Sequence, residues 1–188
     1  MTNFNIKVVS DTVCPWCYVG KSRLDRAIEL YRKTYPAVAT TLSQTEMMRQ
    51  RLTTIGQEEG INFAFSGRIG NTRDSHRLIQ LGKTKGSDVE NRVVTELFKS
   101  YFEGDGDITS HATLIAAGEK AGLAPNEVKE WLETGKGGAE VDKEVQEAYA
   151  NGVTGVPNIT IQGIHNIGGA QEAEVFMATF AKIKGASK

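Results

Sequence analysis

The chain has 188 residues, room for one domain or one domain with a large insertion and too little for three. Hydrophobic residues make up 39% and charged residues 24%, an ordinary globular balance, and no apolar run approaches the roughly 18 residues of a membrane span, which argues against disorder and a membrane partner. Lys plus Arg number 22 against 23 Asp plus Glu, a net charge of −1, so the basic excess that binds a phosphate backbone is missing and nucleic acid is not expected as a partner.

Met1 is followed by Thr2 to Asn5 and at once by a strand-like run, without the basic, apolar and small-residue segments of an export signal, so a cytoplasmic location is expected. Ile6 to Ser10 reads as a buried strand. From Pro15 the apolar positions Val19, Leu24, Ala27, Ile28, Leu30 and Tyr31 recur at helical spacing until Pro36 stops them. Ala37 to Leu42 alternates weakly as a second strand. Ser43 with Glu46 forms a capping box for a helix to about Glu59, ended by Gly60.

The middle of the chain reads as helical. Asn71 or Thr72 caps a helix over Arg73 to Leu81, and Ser87 with Glu90 boxes another through about Phe102. Thr109 or Ser110 starts a helix to Ala121, Pro125 opens one ending near Thr134, and Glu140 to Ala150 continues the period. Gly152 to Gly155 punctuates and Pro157 fixes a turn. Asn158 to Gln162 and His165 to Gly168 read as a hairpin, and a last helix runs from about Ala170 to Ile183.

The two cysteines stand in Cys14-Pro15-Trp16-Cys17, too close for a bridge that closes a useful loop, so the spacing points to chemistry. A thiol at the first turn of a helix faces unpaired N–H groups, which favour its thiolate and bring its pKa to about 3.5–7.5 in such motifs. Cys14 is then the nucleophile. Cys17, one turn further and more buried, resolves a mixed disulfide formed at Cys14. Pro15 suits a first helical turn, and Trp16 offers an apolar face to a partner. The competing readings are half of a zinc site and two unreactive packing thiols. A closed zinc site needs two more ligands, and His76, His111 and His165 show no paired spacing, so no metal is expected.

The order of elements is that of an α/β thioredoxin-like fold with an all-helical insertion between an N-terminal βα(β) part and a C-terminal ββα part. It places residues 1–42 with 152–188 in the thioredoxin-like domain and 43–151 in the insertion, as one compact unit. Val9-Ser10-Asp11 leading into Cys14–Lys21, then Asn71–Leu78, Gly155-Val156-Pro157 and Gly168-Gly169-Ala170-Gln171, run in one order along the chain. By these blocks the sequence resembles the DsbA-like superfamily, in its FrnE-like branch, related to 2-hydroxychromene-2-carboxylate isomerase and kappa-class glutathione transferase. The stretch from Pro36 to Thr45 is shorter by a few tens of residues than the family's central strand and Pro-containing loop.

The resemblance implies that Val156-Pro157 is a cis-proline loop facing the cysteines, whose backbone pairs with an extended peptide or glutathione. It implies that Gly169, Ala170 and Gln171 lead into a helix start that takes a glutathione carboxylate, though a plain helix start reads equally well. Asn71 and His76 join the binding residues on the strength of their block alone. Arg73 and Arg77 share a helix face and could line an anion-binding wall, but solvated charges are the preferred reading for Asp74 and Arg77. His111 and His165 read as surface or hairpin residues, Asp105-Gly106-Asp107 as a turn, and Asp11 as either a buried acid or a loop cap. Three functions compete: a thiol-disulfide oxidoreductase acting on thiol or disulfide substrates, a glutathione-dependent isomerase or transferase on an aromatic or polyketide-like molecule, and a non-catalytic binding protein. Glutathione is the implied co-substrate, and a homodimer the implied assembly.

Overall fold

The computed structural model describes residues 6–30 and 44–186. The strand expected at Ala37–Leu42, the stop at Pro36 and the cap at Ser43 lie outside them. The chain divides into two units, Met1–Phe63 with Gly155–Lys188, and Ala64–Thr154.

In the first unit, β-branched residues form β1 (Ile6–Val9), which pairs antiparallel with β2 (Asn158–Ile161), and β2 pairs antiparallel with β3 (His165–Gly168). Gln162 and Gly163 between β2 and β3 both have positive φ, 54° and 71°, the handedness that matches the twist of paired strands. β1 is not the buried strand the sequence suggested. Val8 is 41% exposed, because β1 has a single neighbour among the described strands. Helix α1 (Pro15–Leu30) follows β1, α2 (Gln44–Glu58) ends at Gly60 with φ 73°, and the chain closes with α8 (Ala173–Ala186).

The core of this unit lies between α1, α8 and the sheet. Leu24 and Ala27 of α1 meet Phe176, Phe180 and Ile183 of α8 over Ile159, Ile161 and Ile167 of the hairpin. Phe176 and Phe180 recur at helical spacing and are fully buried, each contributing about 2–3 kcal/mol of apolar transfer. The last helix begins at Ala173, not Ala170. Gly169 has φ 79°, Gln171 N–H donates to Gly169 O at 3.0 Å, and its side chain donates to Gly168 O at 2.9 Å, so residues 169–171 form a turn ahead of the helix.

The second unit is helical: α3 (Arg73–Thr84), α4 (Ser87–Phe98), α5 (His111–Lys120), α6 (Pro125–Glu133) and α7 (Gly138–Ala150). Leu78 and Leu81, Val93 and Leu97, Leu114 and Ala117, and Val128 and Leu132 bring α3, α4, α5 and α6 to one core. The helix through Phe102 is not uniform, since α4 passes into a π-helical turn over Lys99–Glu103 that closes with Gly104 N–H on Lys99 O at 3.1 Å. The Ser87–Glu90 box does not form. Gly86, at φ 108°, takes the N-cap position and Ser87 is already helical.

Candidate active site

The loop between β1 and α1 is built by Asp11. Its Oδ1 accepts from Val13 N–H at 3.2 Å, and its carbonyl accepts from Cys14 N–H at 3.2 Å. Asp11 is thus a loop cap, the second of its two sequence readings. This turn delivers Cys14 to the helix start ahead of Pro15, which needs no N–H partner there. Cys14 is half-buried, whereas Cys17, one turn along, is 1% exposed, and both thiols are free.

The two sulfurs sit in opposite electrostatic situations. The Cys17 thiol donates to the Cys14 sulfur, and this bond, with the Cys17 and Trp16 backbone N–H groups, outweighs burial and the Asp11 charge and lowers Cys14 to about 6. The helix start supplies the backbone share, as the sequence suggests, but the largest single cause is the second cysteine. Cys17 is pushed far up, because it is the donor to Cys14 and because it is buried. Asp11 N–H at 3.4 Å and the Ser10 side chain act on its sulfur in the other direction.

The Val156–Pro157 peptide bond is cis, with Pro157 buried and Val156 37% exposed. Gly169 N–H donates to Pro157 O at 2.8 Å, which fastens the 169–171 turn to the proline loop. Gly20 completes the contact from α1. A Cβ at that position would lie 2.9 Å from Pro157 Cγ and 3.4 Å from Ala170, so only glycine lets helix and loop approach this closely.

Arg23, buried on the same helix, donates to Ala170 O at 2.7 Å and pairs with Glu172 at 2.6 Å. Its Nε lies 3.5 Å from Glu59, a side chain only 2% exposed that Arg26 also meets at 3.1 Å. Burial raises the Glu59 carboxyl above its usual range against the pull of both arginines. From sequence Gly20 enters only as part of the Cys14–Lys21 block, with no role of its own, and the Arg23–Glu59–Arg26 cluster does not enter at all. A glycine inside an otherwise good helix pattern was the available signal for the first.

Cys14, Pro15, Trp16, Cys17, Val156, Pro157, Gly169, Ala170 and Gln171 therefore belong to the first unit, and Asn71 and His76 to the second. Asn71 is exposed, and its Oδ1 accepts from Arg73 N–H at 2.9 Å, shaping the entry to α3. His76 is half-buried. The anion-binding wall is not present: Arg73 pairs with Asp142, and Arg77 is turned inward. Arg77 is not a solvated charge. It is buried and donates to Trp131 O, Leu132 O and Lys136 O at the C-terminal end of α6, where a cation complements unpaired carbonyls. Asp74 accepts from Arg77 at 2.6 Å and meets His111 Nε2 at 2.9 Å. Asp107 Oδ1 accepts from Thr109 N–H at 2.9 Å, the Asx pattern of a turn.

Residues 5–181 match the family model of a DSBA-like thioredoxin domain. A search of curated proteins gave no match. Among solved structures the chain is similar to the probable DsbA oxidoreductase SCO1869 from Streptomyces coelicolor, at 25% identity and a TM-score of 0.82 over 97% of this chain and 91% of that one. It is also similar to 2-hydroxychromene-2-carboxylate isomerase, at 17% identity and a TM-score of 0.70 over 96% and 95% of the two chains. The cytosolic disulfide reductase DsbM from Pseudomonas aeruginosa, solved with GSH, is similar at 14% identity and a TM-score of 0.63 over 94% and 98%. The last two likenesses concern the fold alone. With nearly its whole length matched and a Cys-x-x-Cys pair opening α1, the chain belongs to the DSBA-like thioredoxin domain family.

Proposed function

We propose that the protein is a thiol-disulfide oxidoreductase in which Cys14 attacks and Cys17 resolves. The observation that carries this reading is the opposed state of the two sulfurs, one half-exposed and lowered to about 6, the other buried and held protonated by its bond to the first. The Cys14 thiolate attacks one sulfur of a substrate disulfide, a Cys14–substrate S–S bond forms, and the other substrate sulfur leaves as thiolate. Cys17 then gives up its proton and attacks Cys14 Sγ, the mixed disulfide breaks, and the second substrate thiolate departs. Two electrons have passed from the dithiol to the substrate, and the reverse sequence oxidises a dithiol.

In this reading the Val156–Pro157 loop and the Gly169-Ala170-Gln171 turn, tied to each other and to α1, receive the thiol substrate. Glutathione is the co-substrate that returns the pair to its starting state, in a cytoplasmic setting. The likeness to a cytosolic disulfide reductase solved with GSH is consistent with that choice. A glutathione-dependent isomerase or transferase would require one activated sulfur only. A buried second cysteine bonded to the first favours redox chemistry.

The test is Cys17→Ser, which should accumulate a mixed disulfide on Cys14 when offered oxidised glutathione, while Cys14→Ser accumulates none. Mass spectrometry that located the wild-type adduct on Cys17 would overturn the roles. A pair that never forms a reversible disulfide in any glutathione buffer would overturn the activity.

A further inference from the structure

Trp16 stands between the two cysteines, and an arginine lies over it. Arg51, exposed on α2, places its guanidinium carbon 5.5 Å from the Trp16 ring centroid, within the range at which an indole face attracts a cation. Among the side chains described, no carboxylate forms an ion pair with it. A cation–π contact holds the guanidinium without using its N–H groups as ion-pair donors, so they stay available to a carboxylate. The Asp11 charge works against the Cys14 thiolate, and so against an approaching anion as well.

From this we infer that Arg51 is a specificity-determining residue: it selects carboxylate-bearing thiol and disulfide substrates, the class to which glutathione belongs, over neutral and cationic ones. Trp16 belongs to the same Cys14–Cys17 turn at the start of α1, so the cation held against its ring sits on the active-site turn. The inference rests on Cys14 being the reactive sulfur but not on the redox reading, and charged alkylating agents separate the two. Cys14 thiolate displaces iodide from iodoacetate or iodoacetamide. One S–C bond forms and one C–I bond breaks, iodide leaves with its electron pair, and no oxidant is needed.

Second-order rates are measured on the reduced protein with both reagents, at low and high salt, for the wild type, Arg51→Gln and Arg51→Lys, with mass spectrometry confirming modification at Cys14. For Arg51→Gln the ratio of iodoacetate to iodoacetamide rates should fall by about 1.5- to fivefold at low salt, the factor an exposed ion pair supplies. The difference should vanish at high salt, and Arg51→Lys should keep most of the wild-type ratio. Oxidised glutathione against 2-hydroxyethyl disulfide should show the same selective loss. An unchanged ratio, or equal slowing with both reagents, overturns the role of Arg51 while leaving Cys14 as the nucleophile. A Cys14 that neither reagent modifies overturns the nucleophile assignment and this inference with it.

Discussion

The hydrogen bond between the two thiols can be removed by deleting a single heavy atom, the sulfur of the buried Cys17. In Cys17→Ala the donor to Cys14 is gone, and what remains is the pull of the backbone N–H groups against burial and the Asp11 charge. A hydrogen bond to a charged group contributes about 1.5–3 kcal/mol, and each pH unit corresponds to about 1.36 kcal/mol. Cys14 is partly open to water, which screens the interaction, so the lower end applies and its midpoint should rise by about one pH unit from about 6. Cys17→Ser restores a hydroxyl donor and should fall between wild type and Cys17→Ala. The assay is the pH dependence of iodoacetamide alkylation, checked against thiolate absorbance. A Cys17→Ala midpoint equal to wild type would show that the helix start alone activates Cys14, and would refute the reasoning.

Gly20→Ala places a methyl 2.9 Å from Pro157 Cγ and should cost about 1–3 kcal/mol by overpacking; thermal denaturation should show this, and a Tm equal to wild type would deny the close approach. Asp74→Asn should cost about 1–2 kcal/mol at neutral pH by weakening the partner of buried Arg77, as read by urea unfolding. Burial raises the Asp74 carboxyl, but bonds from His111 and Arg77 outweigh it and leave it below the ordinary 3.8. Its stabilisation is therefore full above that value and lost as pH falls through the lower folded value, so the gap between wild type and Asp74→Asn should close in acid.

What was legible in the sequence is what local chemistry decides. β1, α1 with its two cysteines, and the β2–β3 hairpin follow from β-branched runs, helical spacing and the turn residues between the strands. The errors fall where a bond from distant sequence decides. Ala170 continues the apolar spacing of α8, yet Gly169 N–H on Pro157 O and Arg23 on Ala170 O hold 169–171 as a turn. Arg77 has the spacing of a solvated charge, but the end of α6, more than fifty residues away, supplies carbonyls that draw it inward. Arg51 carried no signal at all, since only the fold of α2 lays it on Trp16. At Gly86, a backbone only glycine adopts readily displaced a capping box that the pattern Ser87–Glu90 suggested.

The coupling of the two sulfurs sets the direction of the chemistry as well as its rate. Cys14 is stabilised as a thiolate because Cys17 keeps its proton, so over the neutral range the dithiol carries one negative charge shared across a hydrogen bond. The disulfide has no thiolate to stabilise. A lowered Cys14 therefore favours the reduced fold, an advantage that is full above the ordinary value of 9.0 and is lost as pH falls through about 6. Stabilising the reduced form makes the disulfide a stronger oxidant. Asp11 works in the opposite sense, since its charge raises Cys14, while its backbone and side chain build the turn that brings Cys14 to the helix start. Asp11 thus shapes the loop and adds a small opposing charge, while the pair is poised chiefly by the Cys17 bond against burial, with the N–H groups of the helix start helping Cys17.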